Sequence, residues 1–170
     1  MTDSTDLRGQ MHRHQRLMPD ADAQSFLRTQ KVAHVATVGG DGWPYVIPLI
    51  YIYEGGDRLF VHTGNHGGHF ERNIERQPRA CVEVSDMGDV HPGRTYACQS
   101  ALVYSSVVTF GPVRIVNTLD DKTWFFDRVL EKYGDPEWVF KPGYPQIDRI
   151  VLYEQTIEIM TGKHSAGHSH

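Results

Sequence analysis

The chain has 170 residues, of which 39% are hydrophobic and 22% charged, with a formal net charge of −4 at pH 7. These values are typical of one globular domain, and the slight acidity argues against a nucleic-acid-binding surface. Two cysteines are too few for a disulfide framework, and neither a signal peptide nor an apolar run of membrane-spanning length is evident, so we expect a cytoplasmic protein without a membrane partner.

Turn-forming residues divide the first half of the chain into an arm, a helix and several strands. We expect residues 1–18 to form a mobile arm, 19–163 a single domain and 164–170 a His-rich tail. A helix is predicted from Pro19 and Asp20 onward, because proline is favoured at the start of a helix. Apolar runs between glycine-rich turns then predict strands over 31–38, 43–53 and 59–63.

The second half of the chain continues this mixture of strands and helices. Three strands and two helices are predicted, the strands over 80–85, 101–116 and 148–160 and the helices over 68–77 and 118–134. Pro48 and Pro112 lie inside predicted strands and have no N–H to donate, so each should mark a sheet edge, a bulge or a barrel corner. About six strands in hairpin order predict a mainly β fold of the α+β class, a closed antiparallel barrel with peripheral helices.

The segment from Leu59 to Pro78 is the most informative part of the sequence for function. A short apolar strand runs there into a turn rich in His and Gly, which opens directly onto an amphipathic helix. The start of a helix carries unpaired backbone N–H groups and the positive end of the peptide dipoles, and Gly67 and Gly68 allow a ligand to approach the backbone closely. We therefore expect a phosphorylated small molecule to bind at this turn.

Other phosphate-binding and catalytic motifs are missing from the sequence. It contains no GxxxxGK[ST] loop, no GxGxxG motif after a strand and no GxSxG elbow, which argues against a P-loop ATPase, a Rossmann dehydrogenase and a serine hydrolase. His62, His66 and His69 do not have the spacing of a HExxH zinc helix, and two glycines interrupt the run. No metal site is predicted.

The strand around Pro48 is predicted to form a second half of the binding site. If residues 46–50 lie beside residues 59–63 in a sheet, they form a flat aliphatic wall next to the turn, against which a planar aromatic ligand would fit. The same residues are also compatible with a plain role in the core of a barrel. Both interpretations stay open at this point.

Taken in order, these motifs resemble a known family. DGWPYVIP, FVHTGNHGGHFERNIERQP, SSVVTFGPV and TGKHS resemble the pyridoxamine 5′-phosphate oxidase-like split-barrel flavoproteins, and among these the FMN-binding relatives of the nitroimidazole-resistance proteins. The resemblance covers residues 16–165. It implies a six-stranded antiparallel split β-barrel with peripheral helices, which forms a homodimer with FMN at each end of the interface.

The resemblance also implies a set of site residues. The isoalloxazine ring would lie against residues 46–50, the phosphate would bind at 65–70, and some contacts would come from the second subunit. His62, which best matches the family's active-site histidine, is predicted to be catalytic. The predicted cofactor-binding residues are Val46, Ile47, Pro48, Leu49, Ile50, His62, Thr63, Asn65, His66, Gly67, Gly68, His69, Phe70, Ser106 and Lys163.

The turn departs from the family pattern in one respect. The family usually has Lys or Arg where this chain has Gly-Gly-His-Phe at 67–70. The charge of a phosphate would then be met by the helix start, by Arg72, by Lys163 or by a protonated His69, whose charged form an adjacent phosphate would favour.

The resemblance implies a flavin-dependent reductase or oxidase that acts on a small-molecule redox substrate. Two alternatives from other classes stay open. One is a flavin-binding protein without turnover, acting as a store or a redox sensor, and the other is a split barrel that binds FAD, a deazaflavin or heme in the same groove. No residue of the sequence identifies the substrate or the electron donor.

Overall fold

The computed structural model describes residues 10–64 and 66–166, which contain three α-helices and nine β-strands. The helices are α1 (Asp20–Thr29), α2 (His69–Arg76) and α3 (Leu119–Tyr133). The strands are β1 (Leu17–Met18), β2 (Ala33–Val38), β3 (Pro44–Leu49), β4 (Tyr51–Ile52), β5 (Arg58–Gly64), β6 (Arg79–His91), β7 (Ala101–Val116), β8 (Ile150–Thr156) and β9 (Ile159–Ala166). None of the described helices is both long and apolar enough to cross a membrane.

Strand β7 belongs to two antiparallel sheets at once. Its residues 101–112 pair with β6 and its residues 103–110 pair with β9 on the other side, whereas residues 113–116 pair with β8. One sheet therefore runs β3-β2-β6-β7-β9-β1, and the other runs β4-β5-β8-β7. Because only Ile50 separates β3 from β4, the chain itself joins the outer strands of the two sheets. This is an antiparallel split barrel, which confirms the predicted fold class.

The number of strands differs from the prediction of six. The run predicted over 43–53 breaks at Ile50 into β3 and β4, and the strand predicted over 148–160 is two strands, β8 and β9. A further strand, β1, lies within the predicted arm and pairs with Lys163 and Gly162 of β9. The predicted tail differs too, since its residues 164–166 belong to β9. Residues 1–9 and 167–170 lie outside the described part of the chain.

The two prolines inside strands lie where a missing N–H is tolerated, as predicted. Pro48 is on β3, an edge strand of its sheet. Pro112 lies where β7 exchanges β9 for β8 as its partner, which is the corner of the barrel. The neighbouring Gly111 is required there, because a Cβ would lie 1.7 Å from the carbonyl oxygen of Thr156. The backbone thus bends at Gly111 and Pro112 without ending the strand.

The two faces of β5 pack against two different apolar clusters. The larger cluster fills the barrel and includes Leu59 and Val61 of β5. The smaller one lies between α3 and the outer side of β5 and β8, where Phe60 packs edge-on against Trp124 of α3. Burying each such side chain stabilises the fold by about 1.5–3 kcal/mol. Alternate residues of β5 therefore point into the barrel and toward α3.

Helix α2 is fixed on the barrel by apolar and polar contacts. Phe70 and Ile74 are buried in the barrel cluster. Between them, Nδ2 of Asn73 donates a hydrogen bond of 3.1 Å to Oγ1 of Thr37 on β2, and both side chains are buried. These contacts hold the start of α2, and the turn before it, at a defined place beside β2 and β5.

Candidate functional site

The turn before α2 is satisfied by a side chain of the helix itself. Glu71, the third residue of α2, directs its carboxylate back onto the backbone N–H groups of Gly67 and Gly68. The same carboxylate lies 3.1 Å from Nδ1 of His66, and the Glu71 side chain is only 8% exposed. This arrangement is a form of the capping box, in which a glutamate at the third helical position accepts from the backbone at the helix start.

These contacts keep the Glu71 carboxylate ionised. Burial alone would raise the pKa of Glu71, but the hydrogen bonds from Gly67, His66 and Gly68 outweigh it and lower the pKa below its ordinary value. A phosphate would need the same N–H donors. The position predicted for the phosphate therefore already holds a negative charge of the protein. Asn65, also predicted to bind there, lies outside the described residues.

Two cationic groups predicted to help the phosphate, Arg72 and His69, are exposed and already contact other groups of the protein. Arg72 is exposed and donates a hydrogen bond to the carbonyl oxygen of Gly67. The exposed ring of His69 packs edge-on against Tyr45, with 4.5 Å between the ring centroids. Phe70 is a core residue that packs against Tyr153 inside the barrel. The turn thus presents no fixed positive side chain at 69–70.

His62 and Thr63 are neighbours in sequence but point to opposite sides of β5. The His62 ring faces α3, where its centroid lies 5.2 Å from that of Phe125 and 5.4 Å from that of Phe126. Thr63 faces the barrel, with its Oγ1 3.1 Å from the hydroxyl of Tyr153. The structure therefore separates these two predicted cofactor residues.

The His62 ring is also unusual in its polar contacts. Its Nδ1 is buried and has no hydrogen-bond partner among the described residues. Burial lowers the pKa of His62, so the ring is neutral at pH 7. Its catalytic role stays a prediction.

The five residues predicted to lie against a flavin ring do not share one face. Ile47 and Leu49 pack against the barrel core and Ile50 lies between two strands, whereas Val46 and Pro48 point outward. Residues 46–49 do not pair with β5, because β3 pairs with β2, whereas β4, the end of the same predicted run, does pair with β5.

The outward residues instead join a neighbouring strand. Four exposed apolar residues on the outward side of β2 and β3 form what we term the outer patch: Val38, Pro44, Val46 and Pro48. Ala36 lies between them, directly opposite Val46.

Ser106 and Lys163 lie opposite each other on β7 and β9. By strand register they are on the same outward side of the sheet as the outer patch. Four strand spacings, about 19 Å along the sheet, separate β9 from β3. One small ring on the outer patch therefore does not reach Lys163 of the same chain.

Lys163 belongs to a cluster around Tyr104 that the sequence did not indicate. Burial would raise the pKa of the Tyr104 phenol, but hydrogen bonds from Lys163 and Arg16 outweigh it and lower the pKa. The Lys163 ammonium lies 5.2 Å from the centroid of the Tyr104 ring. Arg16 comes from the predicted arm, and no sequence signal connects it with this strand.

The role of Glu71 was also missed, although a signal for it exists. The order Gly-His-Phe-Glu at 68–71 places an acid at the third position of a helix, where a glutamate accepts hydrogen bonds from the backbone N–H groups at the helix start.

Among the described residues, no group of three or more His, Cys, Asp or Glu side chains is arranged to hold a metal ion.

The segment over 135–146, which contains three aromatic residues and three prolines and which we term the aromatic loop, lies against α3 rather than against the turn. It borders a cavity of about 770 Å³ whose walls include Leu119, Leu130 and Phe140. The hydroxyl of Tyr144 donates a hydrogen bond of 2.7 Å to Oδ1 of Asp127 on α3. Burial, together with Asp127, raises the pKa of Tyr144 to about 12. What the loop covers is therefore the outer side of α3.

The chain belongs to the pyridoxamine 5′-phosphate oxidase family, whose family model matches residues 19–164. This confirms the family that the sequence motifs predict. A comparison with curated proteins gave no match.

Solved structures of several proteins share the fold. A candidate 5-nitroimidazole antibiotic resistance protein from Bacteroides thetaiotaomicron has a TM-score of 0.72 at 20% identity, over 86% of this chain and 85% of that one. The flavocytochrome Anf3 from Azotobacter vinelandii has a TM-score of 0.81 at 21% identity, over 94% and 74%. An FAD-binding protein from Mesorhizobium loti has a TM-score of 0.63 at 25% identity, over 89% and 98%.

Proposed function

We propose that this protein binds a flavin, FMN, between the two subunits of a homodimer and acts as a flavin-dependent oxidoreductase on a small molecule. The observation that carries the proposal is the outer patch, an apolar surface on the sheet that a single chain leaves open to solvent. Val46, at its centre, is 55% exposed. Contiguous exposed apolar surface of this kind marks a binding site for a ligand or a partner. Family membership and the flavin-binding relatives support the same reading.

The shape of the outer patch suits a planar ring. Val46 lies directly opposite Ala36, and Pro44 directly opposite Val38, so the apolar side chains stand in register on neighbouring strands. A bound flavin supplies hydride or single-electron transfer, and the protein contributes orientation and a dry face. The residues of the patch would cover one face of the ring and exclude water from it.

The distance between the predicted contacts supports the proposed homodimer. Lys163 and the outer patch lie about 19 Å apart along one sheet. If both contact the ring of the same flavin, one of them comes from a second copy of the chain. In the dimer, the patch of one subunit would then face Ser106 and Lys163 of its partner.

A flavin ring and a flavin phosphate do not fit the described residues equally well. The patch is apolar and exposed, as a ring requires, but the turn before α2 has its N–H donors bound to Glu71. We therefore assign the flavin ring to the outer patch. We assign no phosphate contact to the turn while Glu71 binds its N–H groups. No step of a reaction is assigned to His62, whose ring faces α3.

The test is the visible absorption spectrum of the purified protein before and after addition of FMN. Oxidised-flavin bands that shift on binding and persist through gel filtration at the mass of a dimer are expected. A protein that retains no flavin would contradict the proposal, and a heme spectrum would replace flavin with heme as the ligand.

A second measurement separates an oxidoreductase from a store or sensor. Bound flavin should lose its colour with a nicotinamide donor under anaerobic conditions and regain it with an acceptor. A protein that binds FMN but shows neither change would be a flavin-binding protein without turnover.

A further inference from the structure

The turn before α2 and a phosphorylated cofactor do not fit each other in this structure. The N–H of Gly67 is bonded to the carboxylate of Glu71, the N–H of Gly68 also contributes to holding that carboxylate, and His66 pairs with it. We infer that Glu71 excludes the flavin phosphate from this turn, so that the ring rather than the phosphate determines the affinity of the protein for flavin. The inference rests on the proposed flavin site and specifies its ligand preference.

The carboxylate has two advantages over an incoming phosphate. It belongs to the same helix, so no translational freedom is lost when it binds the turn. It is also almost completely buried, because its side chain is 8% exposed. A phosphate would have to displace it, and would break the contact with His66 in doing so.

A phosphate that entered without displacing Glu71 would meet like charge. Its oxygens would lie beside an ionised carboxylate, and the guanidinium of Arg72 at the turn already donates to the carbonyl oxygen of Gly67. Arg72 is exposed and bonded to the carbonyl of Gly67, Phe70 is in the barrel core, and His69 packs against Tyr45. Repulsion between charges at contact distance is strong where water is partly excluded. Glu71 thus makes the turn unfavourable for phosphate, whereas the glycines alone suggest that phosphate binds there.

The experiment compares FMN with riboflavin, which has the same ring and no phosphate. Dissociation constants are measured by flavin fluorescence at pH 7.5 for the unmodified protein, Glu71→Gln and the control Glu75→Gln. Glu75 is an exposed acid on the same helix, so its substitution removes the same charge without opening the turn. The unmodified protein and Glu75→Gln should bind FMN and riboflavin within about threefold of each other, because the phosphate gains no N–H donors. Glu71→Gln should bind FMN about tenfold more tightly, with riboflavin unchanged, because one negative charge leaves the turn.

The opposite pattern would overturn the inference. It consists of an unmodified protein that binds FMN about 100-fold more tightly than riboflavin, as phosphate contacts of full strength would produce, together with a Glu71→Gln variant that gains nothing. The ratio of the two affinities in the unmodified protein decides the question even if the variant does not fold.

A titration with inorganic phosphate separates failure of this inference from failure of the proposed function. If no flavin binds at all, the proposed function fails. Thermal stabilisation by phosphate in Glu71→Gln, but not in the unmodified protein, would still show that Glu71 excludes phosphate from the turn. Equal stabilisation of the two proteins would show that it does not.

Discussion

The turn before α2 and the outer patch are both predicted to bind one cofactor, yet the protein itself satisfies the turn and leaves the patch uncovered. At the turn, the N–H groups of Gly67 and Gly68 are satisfied by Glu71. At the outer patch, Val46 is 55% and Val38 41% exposed, and no described residue covers them. Unpaired N–H donors at a helix start indicate that an acceptor will bind them, but this acceptor can be a side chain of the protein itself. An apolar surface on the outside of a sheet can only be covered from outside.

The largest effect is expected at the outer patch. Val46→Asp places a charge where the proposed ring lies, and burying an unpaired charge is strongly unfavourable. We expect flavin affinity to fall about 100-fold, and the dimer to weaken, with little change in the folding of the single chain. Fluorescence titration and light scattering measure these two effects.

A matched control separates this effect from the general effect of an added charge. Val139 is 93% exposed on the aromatic loop, so Val139→Asp makes the same substitution away from the patch. It should leave flavin affinity and dimerisation unchanged. Equal loss in the two variants would show that the patch is not the binding surface.

The next largest effect concerns the stability of the turn. Glu71→Ala leaves the N–H groups of Gly67 and Gly68 without their acceptor, and loss of a helix-capping acceptor costs about 0.5–2 kcal/mol. We expect the free energy of unfolding, measured with urea, to fall by about 1–2 kcal/mol. Glu75→Ala, on the exposed side of the same helix, is the control and should have a much smaller effect. An equal loss in both variants would mean that the capping contact contributes little in solution.

The sequence predicted the elements of the fold better than the site, and particular residues show why. The start of α3 follows from a local signal, since Thr118 caps the helix by accepting from the N–H of Asp121. Alternation likewise predicts that His62 and Thr63 point in opposite directions. Which strand lies beside which is not a local property, and for that reason the sequence did not show that β3 pairs with β2 and only β4 pairs with β5.

The binding site depends both on local sequence signals and on the pairing of distant strands. Only the part that depends on local signals could be predicted. The glycines at 67–68 correctly indicated a turn at a helix start with donors to satisfy. The acid three positions later supplied the acceptor, and the capping pattern of the sequence was sufficient to reveal it. The cluster of Arg16, Tyr104 and Lys163 depends on the pairing of β1 and β7 with β9, which no local pattern encodes.

A third prediction tests the polar atom that the structure leaves without a partner. His62→Phe keeps a ring against Phe125 and Phe126 and removes the buried Nδ1. An unsatisfied buried polar atom costs about 1–3 kcal/mol, so we expect the variant to gain about 1 kcal/mol at pH 7. Its stability should also fall less between pH 7 and pH 5. The lowered pKa of His62 means that the unfolded chain takes up a proton in this range before the folded one does.

The control for this variant is His91→Phe, which changes an exposed histidine on β6. Its effect should lie within about 0.5 kcal/mol of zero. A marked loss of stability in His62→Phe would indicate that Nδ1 has a partner in solution, and would restore His62 as a candidate for contact with a ligand.

The smallest effect expected is the acid sensitivity of the turn. The pKa of Glu71 is lowered from its ordinary value of 4.5, so the unfolded chain binds a proton at a higher pH than the folded one. The stability that Glu71 contributes is therefore complete well above pH 4.5 and is lost as the pH falls through the lowered pKa of the folded state. Glu71→Gln has no such group, and its difference in unfolding free energy from the unmodified protein should shrink measurably, by up to about 1 kcal/mol, between pH 6 and pH 3. A difference that stays constant over this range would mean that the carboxylate charge makes no contribution at the turn. The exclusion of phosphate by Glu71 would then have to come from its bulk alone.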